Sequence, residues 1–248
     1  MQQAPGARGQ APGAQGQAPG ARGQAPGGQG AAGGRASRAP APEVPPEFNA
    51  DPIMKLDQPA LIRMIQSASS TYFQKAIACK RLSMIGTAEA VPALAALLGD
   101  EKLGHYARFG LEPMPEPAVD VALRDALGKL KGMLLQGVIN SLGVRRDAGA
   151  VAALGGLMGN SDVGVARAAA AALGAISGPE AAKLLTAGLG RASAQLLPVM
   201  ARAALVCADR LPEVHHRTAV DMYKALAANN MPKPVILAAR QRIMAEGI

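Results

Sequence analysis

The sequence predicts an all-α protein, a solenoid of about five helix pairs with a capping helix at each end. Three observations carry this. From Asp57 onward apolar residues recur at helical spacing, and no stretch reads as strand. The chain of 248 residues is 49% hydrophobic but only 2% aromatic, with no Trp, so the large rings that usually fill one compact core are missing. The helical pattern also repeats along the chain. The stretch VARAAAAALGAISGPEAAKLL, Val165–Leu185, shows what this architecture solves. An alanine-rich helix buries little surface within one pair, so neighbouring repeats must cover it.

The chain opens on GQAPGAR and GQAPGAQ units with a period of seven. Its glycines alternate spacings of three and four, from Gly6, Gly9 and Gly13 onward, whereas a collagen helix needs one at every third place. Pro, Gly, Gln and Ala offer almost no apolar surface to offset ordering entropy. Residues 1–50 are therefore expected to be a disordered arm and 51–248 the solenoid. Four arginines (Arg8, Arg22, Arg35, Arg38) against Glu43 and Glu47 give the arm +2 of the total +8, which suits a solvated spacer. No basic stretch and apolar core of a signal peptide follows Met1. The Gln/Pro/Gly-rich start is like the region after a cleaved signal, so the expectation is export, with a cytoplasmic protein as the alternative.

After the arm the pattern predicts a leading helix at about 57–67. Then LSMIGTAEAVPALAALL aligns with LGAISGPEAAKLLTAGL, placing Ile176 on Ile85, Glu180 on Glu89 and Ala181 on Ala90. INSLGVRRDAGAVAALGGLM matches with three extra residues before Ala150–Val151. GLEPMPEPAVDVAL puts Ala118–Val119 in the same place, and a weaker copy reaches Ala219–Val220. With Val91, Val119, Val151, Ala182 and Val220 as anchors, successive spacings are 28, 32, 31 and 38. Each unit reads as a helix, a short Gly/Pro/Asp turn and a second helix. KPVILAARQRIMAEGI, with Pro234 in its first turn, predicts a closing helix at about 233–246.

These units, ALGAISGPEAA above all, resemble the HEAT-repeat family, and more closely the short bacterial PBS-lyase HEAT-like repeats, over about residues 71–228. The resemblance implies a right-handed α-solenoid of HEAT-like pairs. It also implies a scaffold that binds another macromolecule along its curved face. A second function implied by it is a bilin-lyase-like chromophore attachment factor. The repeats alone do not carry that chemistry, because sites are grafted on a shared scaffold.

Aligning the first helices brings Lys75, Arg108, Gln136, Arg167 and Arg202 into register. One long donor per unit, at the layer junction, fits a structural ladder that pins each repeat to the next. In HEAT-like families an Asp/Arg ladder of this kind is structural. A continuous binding face is the alternative reading. The loop GVRRDAG, Gly143–Gly149, is the most distinctive connection. Arg145, Arg146 and Asp147 there form either a partner contact, through the forked donors of Arg, or a salt link between repeats with Asp147 capping the helix that begins at Ala148.

Little else carries chemistry. No His-Glu dipeptide occurs, so the iron-hydroxylase activity of some HEAT-like proteins does not carry over. His105 and Tyr106, in EKLGHYARFG, are a secondary partner-contact candidate, with a surface or packing histidine the plainer reading. His215 and His216 are adjacent and point about 100° apart on a helix, unlike the i, i+4 pair a metal needs. Catalytic, cofactor-binding and metal residues are accordingly assigned to none, and no cofactor is expected. Cys79 and Cys207 sit in apolar helical runs and read as buried free thiols. No apolar run approaches 18 residues, so no membrane partner is expected. The paired arginines of the 143–149 loop favour an acidic surface or a carboxylate as partner, whereas the net charge by itself raises nucleic acid. Nucleic acid stays a minority reading, because aromatics for base stacking are scarce.

Overall fold

The computed structural model describes residues 45–228 and 230–247. Residues 1–44, and with them most of the predicted arm, lie outside the described residues. A 3-10 turn at Pro46–Phe48 and helix α1 (Asp51–Met54) precede the leading helix α2 (Gln58–Gln66). Then come α3 (Tyr72–Ile85), α4 (Val91–Ala95), α5 (Gly104–Leu111), α6 (Pro117–Leu127), α7 (Gly132–Arg145) and α8 (Val151–Leu157). The series continues with α9 (Val163–Ile176), α10 (Pro179–Leu189), α11 (Leu197–Asp209), α12 (His216–Leu226) and the closing helix α13 (Lys233–Ala245). No strand occurs among the described residues. The all-α solenoid expected from the repeats is the architecture observed.

Local chemistry sets the helix ends. Asp57 caps α2 by accepting from the Ala60 amide, and Asp162 caps α9 by accepting from Gly164 and Val165. Thr71 and Gln74 close a reciprocal capping box at the start of α3. Pro92, Pro117, Pro179, Pro198 and Pro234 occupy first-turn positions, where a missing N–H costs nothing. Three of the second helices begin through a 3-10 turn, Ala88–Ala90 before α4, Ala148–Ala150 before α8 and Glu213–His215 before α12. The helix expected at Ala148 thus becomes α-helical only at Val151.

Helices α3, α5, α7, α9 and α11 stack in order as one layer. In the second layer α2 packs on α4, α4 on α6, α8 on α10 and α10 on α12, and α13 closes against α11 and α12. The first layer is close-packed because its contact residues are small. A methyl group built on Gly174 would lie 2.6 Å from the Ala203 carbonyl oxygen, and one on Gly143 would lie 3.0 Å from Ala172 Cα. Backbone therefore meets backbone between α7 and α9 and between α9 and α11. The alanine helix is covered as expected: Ala166, Ala169, Ala170, Ala172 and Leu173 of α9 are all buried.

Upstream of Asp51 the chain is not wholly free. The Phe48 ring packs edge-on against Phe73 of α3, with centroids 5.6 Å apart. At the other end Asp209 accepts from the Tyr223 hydroxyl (2.8 Å) and from Arg242 (3.1 Å to each carboxylate oxygen), tying α13 to α11 and α12.

Candidate interaction surface

The loop at 143–149 does not present two arginines to a partner. Arg145 is only 10% exposed in its side chain. Its Nε and Nη2 donate to both oxygens of Asp120 (2.5 and 3.1 Å), and Nη1 donates to the carbonyls of Glu112 (2.9 Å) and Met114 (2.5 Å). The reason lies in the preceding turn, Glu112-Pro113-Met114-Pro115-Glu116-Pro117. Its prolines have no N–H, so the carbonyls there lack backbone donors and the guanidinium supplies them. Asp147, also turned inward, takes two bonds of 2.7 Å from Arg124 of α6 and accepts from the Gly149 amide. The capping half of the second reading of this loop therefore describes Asp147, and Arg145 and Asp147 are corrected from partner contacts to staples. Arg146 differs. It adopts the left-handed conformation (φ 53°, ψ 43°) that ends α7 and is exposed.

The register of five long side chains also divides. Arg108 donates to the Gly137 carbonyl of α7 (3.3 Å) and lies 4.0 Å from Glu112. Gln136 lies against Gly164 of α9, where a methyl group would collide with its amide. Both rest on a glycine of the next first-layer helix. Arg167 and Arg202 are exposed and form no hydrogen bond or ion pair among the described residues. Lys75, half-buried, makes none there either. A bond to the next repeat is present for Arg108, Gln136 packs on the next helix, and the ladder reading is corrected for Lys75, Arg167 and Arg202.

His105 is exposed, and its ring stacks at 4.0 Å on that of Tyr106, which meets Tyr72 edge-on at 6.0 Å. No carboxylate joins them by a bond among the described residues, nor does any group of three His, Cys, Asp or Glu there stand close enough to hold a metal. Cys79 and Cys207 are buried free thiols. Burial pushes the Cys79 thiol up to about 12 and the Cys207 thiol upward as well. A folded pKa above the unfolded one means that this stabilisation is whole below about pH 9, the ordinary thiol value, and is lost as pH rises towards 12.

Sorting charge by layer reveals what the repeat register did not. The first-layer helices α3, α5, α7, α9 and α11, with α13, carry ten Lys and Arg against one acid, Asp209. Their counterparts α2, α4, α6, α8, α10 and α12 carry five against four acids, Asp120, Asp125, Glu180 and Asp221. Exposed large apolar side chains follow the same division. Eight of eleven lie on the first set: Tyr72, Met84, Phe109, Met133, Val144, Val163, Leu237 and Met244. Met133 is 86% exposed. Sequence reasoning missed these apolar residues. For three of them the signal is position: Tyr72, Met133 and Val163 each precede a register residue by three or four places, one turn away on the same helix face.

Grooves open on both layers. One of about 560 Å³ lies between α8 and α10, lined by residues such as Val151, Ala152, Gly178 and Leu184, with Glu180 its one ionisable side chain. Another of about 410 Å³ lies between α7 and α9, floored by Gly143, Ala171 and Ala172 and flanked by Arg146 and Arg210. Arg210 donates to the Ala175 carbonyl at 3.0 Å. Among the described residues no helix is long and apolar enough to cross a membrane.

No curated protein matches the chain. Residues 121–205, from within α6 to within α11, match the family model for HEAT repeats, and this match supports the HEAT-repeat family for that stack of alternating helices.

Proposed function

We propose that the chain is a protein-interaction scaffold of HEAT-like repeats, of the short PBS-lyase-like kind, and that its binding surface is the outer face of the first-layer helices. The observation that carries this is the coincidence of two independent properties on one layer. Exposed apolar side chains are scattered singly on most soluble surfaces, but a concentration of them on one face marks contact with another macromolecule. The same helices also carry an excess of positive charge, with Arg167 and Arg202 exposed and without ion pairs among the described residues. HEAT repeats commonly serve protein contact, which agrees with the match over 121–205.

The test is affinity capture with the full chain, followed by hydrogen exchange on the purified complex. Binding on this face slows exchange in successive first-layer helices, α7, α9 and α11 together. Slowing confined to the α8–α10 groove would contradict the proposal and point to a small ligand there.

A further inference from the structure

We infer that the partner of this face is an extended, acidic protein segment that crosses the first-layer helices near their N-terminal ends. The inference rests on the scaffold reading above and names the kind of partner. Two sets of side chains define the track. The free basic members are Arg167 and Arg202, flanked by half-buried Lys75 and by Arg108 and Gln136, which the next helix already engages. The apolar row, one helical turn nearer the N-termini, includes Tyr72, Met133, Val163 and Pro198.

Three arguments select an acidic peptide chain. The first is charge: Arg167 and Arg202 are exposed and unpaired among the described residues, so an incoming carboxylate meets a forked donor without first breaking an ion pair. Asp162 already caps the N-terminus of α9, so the attraction there rests on the guanidinium groups. At the opposite ends of α7 and α9 the helix dipole presents its negative pole, which disfavours the Arg146–Arg210 groove as the anion track.

Spacing supplies the second argument. Packed helices lie roughly 8–10 Å apart. An extended chain advances about 3.3 Å per residue, so every third residue falls about 10 Å along. Acids three positions apart therefore span the separation between the helices that carry Arg167 and Arg202.

The third is the apolar row. Met, Val and Pro side chains offer contact to the intervening apolar residues of a peptide, whereas bases in single strands seek aromatic platforms. The ring cluster of Tyr72, Tyr106 and His105 spans only α3 and α5, and its cross-helix contact is edge-on.

The probe is a fluorescently labelled 15-residue peptide with Glu at every third position and Leu, Ser and Ala between, read by anisotropy against the full chain. Its Lys-for-Glu counterpart, a 20-mer single-stranded DNA, a duplex of equal length and phosphatidylserine vesicles are run alongside. The acidic peptide binds best, and binding weakens as salt is raised. R167E with R202E weakens it about tenfold or more, M133S with V163S several-fold, and K183E with K224E on the second layer leaves it unchanged. Thermal melts of each variant confirm the folded state, and a variant that fails to melt cooperatively is replaced by R167Q with R202Q.

Preference for either DNA or for vesicles overturns the inference, as does equal loss from the second-layer pair. Concentration-dependent dimerisation that disappears in R167E with R202E would assign the face to a second copy and overturn it too. The two readings separate cleanly. If a captured protein protects α7, α9 and α11 while the acidic peptide shows no preference, only the partner class fails. If it protects none of these helices, the scaffold face itself fails.

Discussion

Two junctions in the same stack are held by opposite means. Between α5–α6 and α7–α8 the contacts are polar: Arg108 to the Gly137 carbonyl, Ser141 to Glu112 (2.6 Å), Arg145 to Asp120, and Arg124 to Asp147. From α7 through α9 to α11 glycine and alanine let backbones touch, and the bonds that cross from α9 to α11 gather at the helix ends, Ser177 to the Cys207 carbonyl and Arg210 to that of Ala175 (3.0 Å each). The comparison teaches why long side chains are consumed in one place and spare in the other. A proline-rich turn leaves carbonyls that need a guanidinium, whereas small residues close a junction by packing alone. Arginines at the second kind of junction are left on the surface.

The largest expected effect is on the polar side. R145A strands Asp120 and the turn carbonyls of Glu112 and Met114 in a largely buried place, and removing one partner of such a network costs about 3–5 kcal/mol. A urea titration is expected to show that loss with an unchanged slope. If stability barely moved, the polar junction would be ornament and the contrast would collapse.

Next comes overpacking at the close junction. G174A would normally favour a helix by about 1 kcal/mol. Here the added methyl meets the Ala203 carbonyl, so a net loss of about 1–3 kcal/mol is expected. G156A in α8 sharpens the point, because nothing lies within 4 Å of a methyl group there. That variant is expected to gain about 0.5–1 kcal/mol, seen as a raised melting temperature. Matching signs in the two variants would mean that the first layer is not held by backbone contact.

Much of this fold was legible. The repeated Ala-Val anchor located the alternating helices, and the leading and closing helices fall at 58–66 and 233–245 against about 57–67 and 233–246 from the pattern. The role of each register residue was not legible, because it depends on what the next helix presents. Arg108 and Gln136 meet glycine on the next helix, whereas Arg167 is exposed and bonds nothing among the described residues. Nor could GVRRDAG reveal its orientation. One left-handed residue, Arg146, sends its neighbours inward while it stays outside, a conformation glycine usually supplies. The charge division between layers was present in the sequence all along, but it becomes visible only when charges are counted by alternate helix.

The most direct test sets the two kinds of arginine side by side. Arg167→Ala combined with Arg202→Ala is compared with Arg145→Ala, each by a urea titration and by titration against the captured partner. The expected result is that the surface pair changes stability by no more than about 0.5 kcal/mol, as for side chains without partners, while binding falls about tenfold. A loss of stability approaching that of Arg145→Ala, with binding intact in the folded fraction, would contradict the account and return these arginines to the ladder.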